Sequence, residues 1–283
     1  MPAGGIVSRP FDHPASGRVR TATLYSTRDG GGPDRDALVV VHGLFAWRDL
    51  PEIALVCEAL AVDFDVVSID LRGHGDAPGA FTWGRVESGE LAELISFLHH
   101  MHRSVGVLGF SMGGYIGILA AAQARRRDDR ARPEALCTVG APADLRLWRL
   151  GFRPGECRKH LKLIFSRKRR LVRLGWPWHG DPAAADLVSD VAPIPLLIIH
   201  GGNDWLVHPD QARRLYEAAG EPRGLSVIEE GLHAEHIIAQ DPGLLVPEVT
   251  RFFTEALGRT QDPEAGARVA DTPPEITLGR GRS

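Results

Sequence analysis

Ser111, Asp204 and His233 are the residues whose types and order could together do chemistry. Ser111 is the centre of Gly109-Phe110-Ser111-Met112-Gly113, a GxSxG run. A serine hydroxyl is a weak nucleophile until a base takes its proton, and that base needs a third group to fix its tautomer. On a strand–turn–helix platform the partners are expected in the order acid, then histidine. Asp204 lies in Gly201-Gly202-Asn203-Asp204 and His233 in Glu230-Gly231-Leu232-His233, so both meet that order. Asp144 is a rival acid, and Asp204 alone would also read as a turn residue or helix cap. His236 is the rival base; His233 is preferred because it is nearer the end of a strand-like run. The HAEH spacing is not HExxH and no third ligand suggests itself, so no metal site is expected.

An acyl-transfer oxyanion needs donors that are already oriented. The backbone N–H of Met112, directly after the serine, is one candidate. The N–H of Leu44, in His42-Gly43-Leu44-Phe45, is the other. His42 is expected to buttress that loop. His99, His100 and His102 are expected on the solvated surface of a helix.

These residues need a frame that brings distant segments together. Apolar runs at residues 37–41 (ALVVV), 66–69, 105–108, 135–139, 195–200 (PLLIIH) and 225–229 read as strands. Helical spacing of apolar residues alternates with them at 47–61, 91–101, 114–123, 210–219 and 244–257. Buried strands alternating with helices predict an α/β fold, a doubly wound, mostly parallel sheet with helices on both faces. Ligand chemistry in such folds sits at the carboxyl ends of the strands. Ser111, Asp204 and His233 each follow such an end.

Composition narrows the class. The 283 residues are 43% hydrophobic and 24% charged, with a formal net charge of −3, which excludes a globally basic nucleic-acid binder. Three cysteines, Cys57, Cys137 and Cys157, are widely spaced without a CxxC, so a reducing, cytoplasmic compartment is expected. No apolar run approaches the ~20 residues of a membrane span, and residues 1–20 lack a signal-like apolar stretch.

The pieces VVVHGL (39–44), IDLRGHG (69–75), GFSMGG (109–114), HGGNDWLVHP (200–209) and GLHAEHI (231–237) resemble, in order and spacing, the α/β-hydrolase fold superfamily from about residue 20 to 257. The resemblance implies Ser111 as nucleophile, Asp204 as acid, His233 as base, and no cofactor. It also implies a cap inserted into the core, so that 1–142 and 193–257 form the hydrolase core and 143–192 a small helical cap. Residues 258–283, rich in Pro, Gly and charge, are expected to be a disordered tail. Leu232 departs from the Gly that often precedes the family's histidine. Serine at 111 argues against the dehalogenase and epoxide hydrolase members, which use aspartate there. The expected function is a serine hydrolase cleaving a carboxylic ester of a small acyl substrate. Thioesterase, acyltransferase, peptidase and carbon–carbon hydrolase activities, and a non-catalytic interaction protein, are the alternatives.

One segment stands apart. Residues 146–173 hold eleven Lys or Arg and a single acid, Glu156, with apolar residues interleaved. A solvated lid surface, or attraction to an anionic lipid surface or anionic substrate, accounts for it. No nucleic-acid motif accompanies it.

Overall fold

A computed structural model describes residues 5–12, 21–27, 32–125, 129–147, 172–176 and 182–259. Most of the predicted cap (148–171 and 177–181) and of the predicted tail (260–283) lies outside them.

The strands are β1 (Val7–Phe11), β2 (Ala22–Ser26), β3 (Ala37–Val41), β4 (Asp65–Ile69), β5 (Val105–Phe110), β6 (Ala135–Val139), β7 (Leu196–Gly201) and β8 (Arg223–Ile228). They form one sheet in the order β1-β2-β4-β3-β5-β6-β7-β8. From β4 through β8 every pairing is parallel, while β1 and β2 add antiparallel at one edge. The mostly parallel α/β sheet expected from the apolar runs is therefore present, and the two antiparallel strands extend it.

Burial on both faces explains the continuous apolar runs. Along β3, Ala37, Val39 and Val41 join one core cluster while Leu38 and Val40 join the other. The first cluster is covered by α2 (Glu87–Leu98), α3 (Met112–Ala124) and α5 (Asp210–Ala218), with the short α4 (Ala184–Leu187) packed beside α3. The second is covered by α1 (Pro51–Leu60), the short α6 (His236–Gln240) and α7 (Val246–Arg259). Each fully buried Leu, Ile, Val or Phe contributes on the order of 1.5–3 kcal/mol. No helix among the described residues is long and apolar enough to cross a membrane.

Several boundaries differ from the periodicity. The helix expected from residue 47 starts at Pro51, because proline lacks the N–H that an earlier start would use and its ring disfavours helix just before it. The helix after the serine starts at Met112, two residues before the expected start. His102 is not on a solvated surface: it is buried 3.5 Å from the Asp65 carboxylate. Inside the interval predicted as a cap, Ala184, Val188 and Val191 are buried in the α3 cluster. Residues 172–176 are tied to the loop before α2: Phe81 N–H donates to Arg173 O, Gly175 N–H to Phe81 O, and Trp83 Nε1–H to Gly175 O.

The loops after β3 and β4 are clasped by Arg48. Its guanidinium pairs with Asp70 and Asp76, and its own N–H donates to Asp70 Oδ1. The Asp70 side chain is fully buried. Arg48→Met is expected to cost about 3–5 kcal/mol, because it leaves a buried carboxylate without its counter-charge. Urea unfolding would check this; a loss below about 1 kcal/mol would mean that Asp70 is held by its backbone donors alone.

Candidate active site

The carboxyl ends of β5, β7 and β8 deliver Ser111, Asp204 and His233 to one place. Ser111 immediately follows β5 with φ 50° and ψ −113°, a backbone strained for a residue with a Cβ. The turn is held by Ser111 N–H donating to Val139 O and by Gly114 and Tyr115 N–H donating to Ser111 O. Its tightness explains the flanking glycines. A Cβ on Gly109 would stand 2.5 Å from Gly114 N, and one on Gly113 would stand 2.2 Å from Val41 O.

Three side chains form a continuous hydrogen-bonded line. His233 Nε2 lies 2.8 Å from Ser111 Oγ, and His233 Nδ1 lies 2.6 Å from Asp204 Oδ2. A carboxylate only accepts, so Nδ1 carries the proton and Nε2 offers its lone pair to the serine hydroxyl. Asp204 is fixed in turn. Its Oδ1 accepts from the Leu206 and Val207 N–H groups, both at 2.9 Å, and Oδ2 also lies 3.3 Å from His200 Nε2. All three residues are buried, Ser111 at 9% exposure.

Electrostatics follow from this packing. Burial pushes the Asp204 carboxyl up, but His233 and His200 outweigh it and hold it well below the usual carboxylate range. Burial pulls the His233 imidazole down, yet the charge and hydrogen bond of Asp204, with a smaller contribution from Glu235, raise it above its ordinary 6.5. A serine hydroxyl held against a neutral imidazole in this way can lose its proton as it attacks an electrophile.

Of the two backbone donors singled out in the sequence, Met112 directly follows the serine and Leu44 lies in the loop after β3. Met112 is the first residue of α3, so its N–H has no intrahelical acceptor. Leu44 follows Gly43, which packs against the serine: a Cβ on Gly43 would lie 3.2 Å from Ser111 Cβ. His42 anchors this loop. Its Nδ1–H donates to Gly43 O at 2.7 Å while Nε2 accepts from Leu71 N–H at 3.1 Å. Burial lowers it to about 4, so it stays neutral.

The rivals sit elsewhere. Asp144 is engaged by the Arg146 guanidinium at 2.9 Å. His236 turns its Nδ1 to His233 O at 3.0 Å. Arg48, Asp70 and Glu235 were not singled out from the sequence. Arg48 and Asp70 pair across 22 positions, and Glu235 depends on a backbone turn that no local spacing signals.

A model of the alpha/beta hydrolase family matches residues 38–275. The chain belongs to that family. Membership supports a hydrolase. Among curated proteins, the uncharacterized YfhR of Escherichia coli is 31% identical over 70 residues, which is 25% of this chain and 25% of YfhR; the chain thus matches only about a quarter of that relative's length. Among solved structures, esterase Pf2001 of Pyrococcus furiosus aligns with TM-score 0.64 and 18% identity, covering 88% of this chain and 93% of its own. The hypothetical protein PA2218 of Pseudomonas aeruginosa aligns with TM-score 0.68 and 16% identity, covering 90% and 96%. At these identities the likeness is one of fold.

Proposed function

We propose that the protein is a serine hydrolase that cleaves a carboxylic ester through an acyl-enzyme on Ser111. The observation that carries this reading is the Asp204–His233–Ser111 line closing on a serine in a strained strand-to-helix turn. Ser111 Oγ attacks the acyl carbon as His233 Nε2 takes its proton. Asp204 stabilises the resulting imidazolium. The N–H groups of Leu44 and Met112 receive the oxyanion. Collapse of the tetrahedral intermediate breaks the bond to the alcohol oxygen, which leaves with the proton from His233. Water, deprotonated by His233, then attacks the acyl-enzyme and regenerates Ser111. Every proton in the cycle moves through His233, so the chemistry calls for no metal or organic cofactor. The name of the fold neighbour Pf2001, an esterase, is in keeping with the ester class.

A fluorophosphonate probe tests the assignment. The wild-type chain is expected to be labelled stoichiometrically, and Ser111→Ala to remove labelling. Peptide mapping that places the adduct elsewhere would refute it. Product analysis across ester, thioester, amide and diketone substrates then fixes the bond that is cleaved.

A further inference from the structure

The turn that carries His233 continues through Ala234, whose φ of 43° bends the chain before α6. Glu235 then meets the loop after β3. Both of its carboxylate oxygens lie 3.2 Å from the point where a Cβ on Gly43 would stand, the same distance as Ser111 Cβ. The carboxylate and the serine therefore pack against one glycine, the residue before Leu44. Glu235 Oε2 is buried and has no hydrogen-bond partner among the described residues. Other carboxylates that follow strands of the sheet are provided for: Asp204 has His233 and two backbone donors, Asp144 has Arg146, and Asp70 has Arg48. Two buried imidazoles near this loop stay neutral, and a third is already engaged. Burial lowers His42 to about 4 and His74 to about 3, and His233 has Asp204.

A buried carboxylate oxygen without a partner is costly, and in the proposed reaction the next residue after Gly43, Leu44, gives its N–H to the developing oxyanion. With a neutral ester the carboxylate opposes the oxyanion. A cation brought by the substrate would compensate the carboxylate. We propose that Glu235 is a specificity-determining residue that receives a cationic group of the substrate, selecting acyl esters that bear a protonated amine beside the scissile carbonyl. The proposal rests on Ser111 being the nucleophile. In an α-amino acyl ester the ammonium nitrogen is two bonds, about 2.5 Å, from the carbonyl carbon, which places both within one small site.

Two measurements decide it. The first is kcat/KM at pH 7, where an α-amino group is mostly protonated, for ethyl glycinate, its uncharged isostere ethyl propanoate, and the anion monoethyl succinate. Glu235→Gln is expected to lower the glycinate-to-propanoate ratio at least tenfold; intrinsic ester reactivity cancels in that comparison. A ratio that moves less than about threefold, or a wild-type enzyme that prefers the succinate, overturns the proposal; a threefold change is only ~0.65 kcal/mol. The second uses Ser111→Ala, which needs no catalysis, with n-propylammonium and 1-propanol as probes in ligand-observed NMR. The ammonium is expected to bind at least tenfold more tightly, and Glu235→Gln to remove the difference. Equal affinities overturn the proposal. A chain that binds the ammonium through Glu235 but is not labelled at Ser111 would refute the nucleophile and leave the cation site standing.

Discussion

His233→Ala is expected to lower kcat on a simple ester by about a million-fold, the scale seen when the base of such a unit is removed. In the proposed mechanism His233 Nε2, 2.8 Å from Ser111 Oγ, is the acceptor through which the hydroxyl proton leaves, and the same nitrogen returns a proton to the alcohol. Removing it disables both halves of the reaction. The sharper part of the expectation concerns the double variant. Ser111→Ala alone should cost a similar factor, and Ser111→Ala with His233→Ala should cost little more, because the two act as one unit. Active-site-titrated kinetics of the three variants would check this. If the losses multiply, the two residues act independently and the acyl-enzyme route fails.

Asp204→Asn is the second large effect, roughly 10⁴-fold in kcat. The carboxylate holds His233 in the tautomer whose Nε2 faces the serine; an amide can instead donate its N–H and turn the ring chemistry around. The pH profile gives an independent sign. In the proposed mechanism only neutral His233 activates Ser111, so kcat/KM is expected to rise as pH passes upward through the His233 pKa. In the wild type that acid limb should lie above 6.5, because the raising influence of Asp204 exceeds the lowering effect of burial. In Asp204→Asn the burial remains and most of the opposing influence is gone. The limb should therefore move to lower pH even as the plateau falls. A limb that stays in place would mean that Asp204 does not set the charge state of His233.

The parts legible in the sequence share one physical origin. Strands β3 and β6 are buried on both faces, and burial alone writes an apolar run, broken in β6 only by Thr138, with the right bounds. The segment before Ser111 is likewise apolar, and the glycines around it are there because backbone atoms stand where a Cβ would go. Such constraints are local, so residue types reveal them. Strands β1 and β2 are not legible in the sequence: β1 is an exposed edge strand, VSRPF, whose state depends on pairing with β2, and β2 is a short run, ATLYS, with polar Thr23 and Ser26 in it. The burial of His102 is not legible either, because its neighbour Asp65 is remote in sequence. The order of Ser111, Asp204 and His233 was visible, and the structure brings those side chains into contact. Glu235 and the Arg48 clasp were not visible, since each is defined by where another loop happens to pass.

The line from Ser111 to His233 joins residues 122 positions apart, and it exists only once β5 through β8 have paired side by side. Parallel pairing of this kind closes long stretches of chain before its contacts are gained, which makes it slow. A refolding intermediate with helices formed but β8 undocked would have a serine without its imidazole. The rate at which a refolding population regains reactivity toward a fluorophosphonate should therefore trail the recovery of helical circular dichroism. The site would then act as a clock for the last strand to arrive.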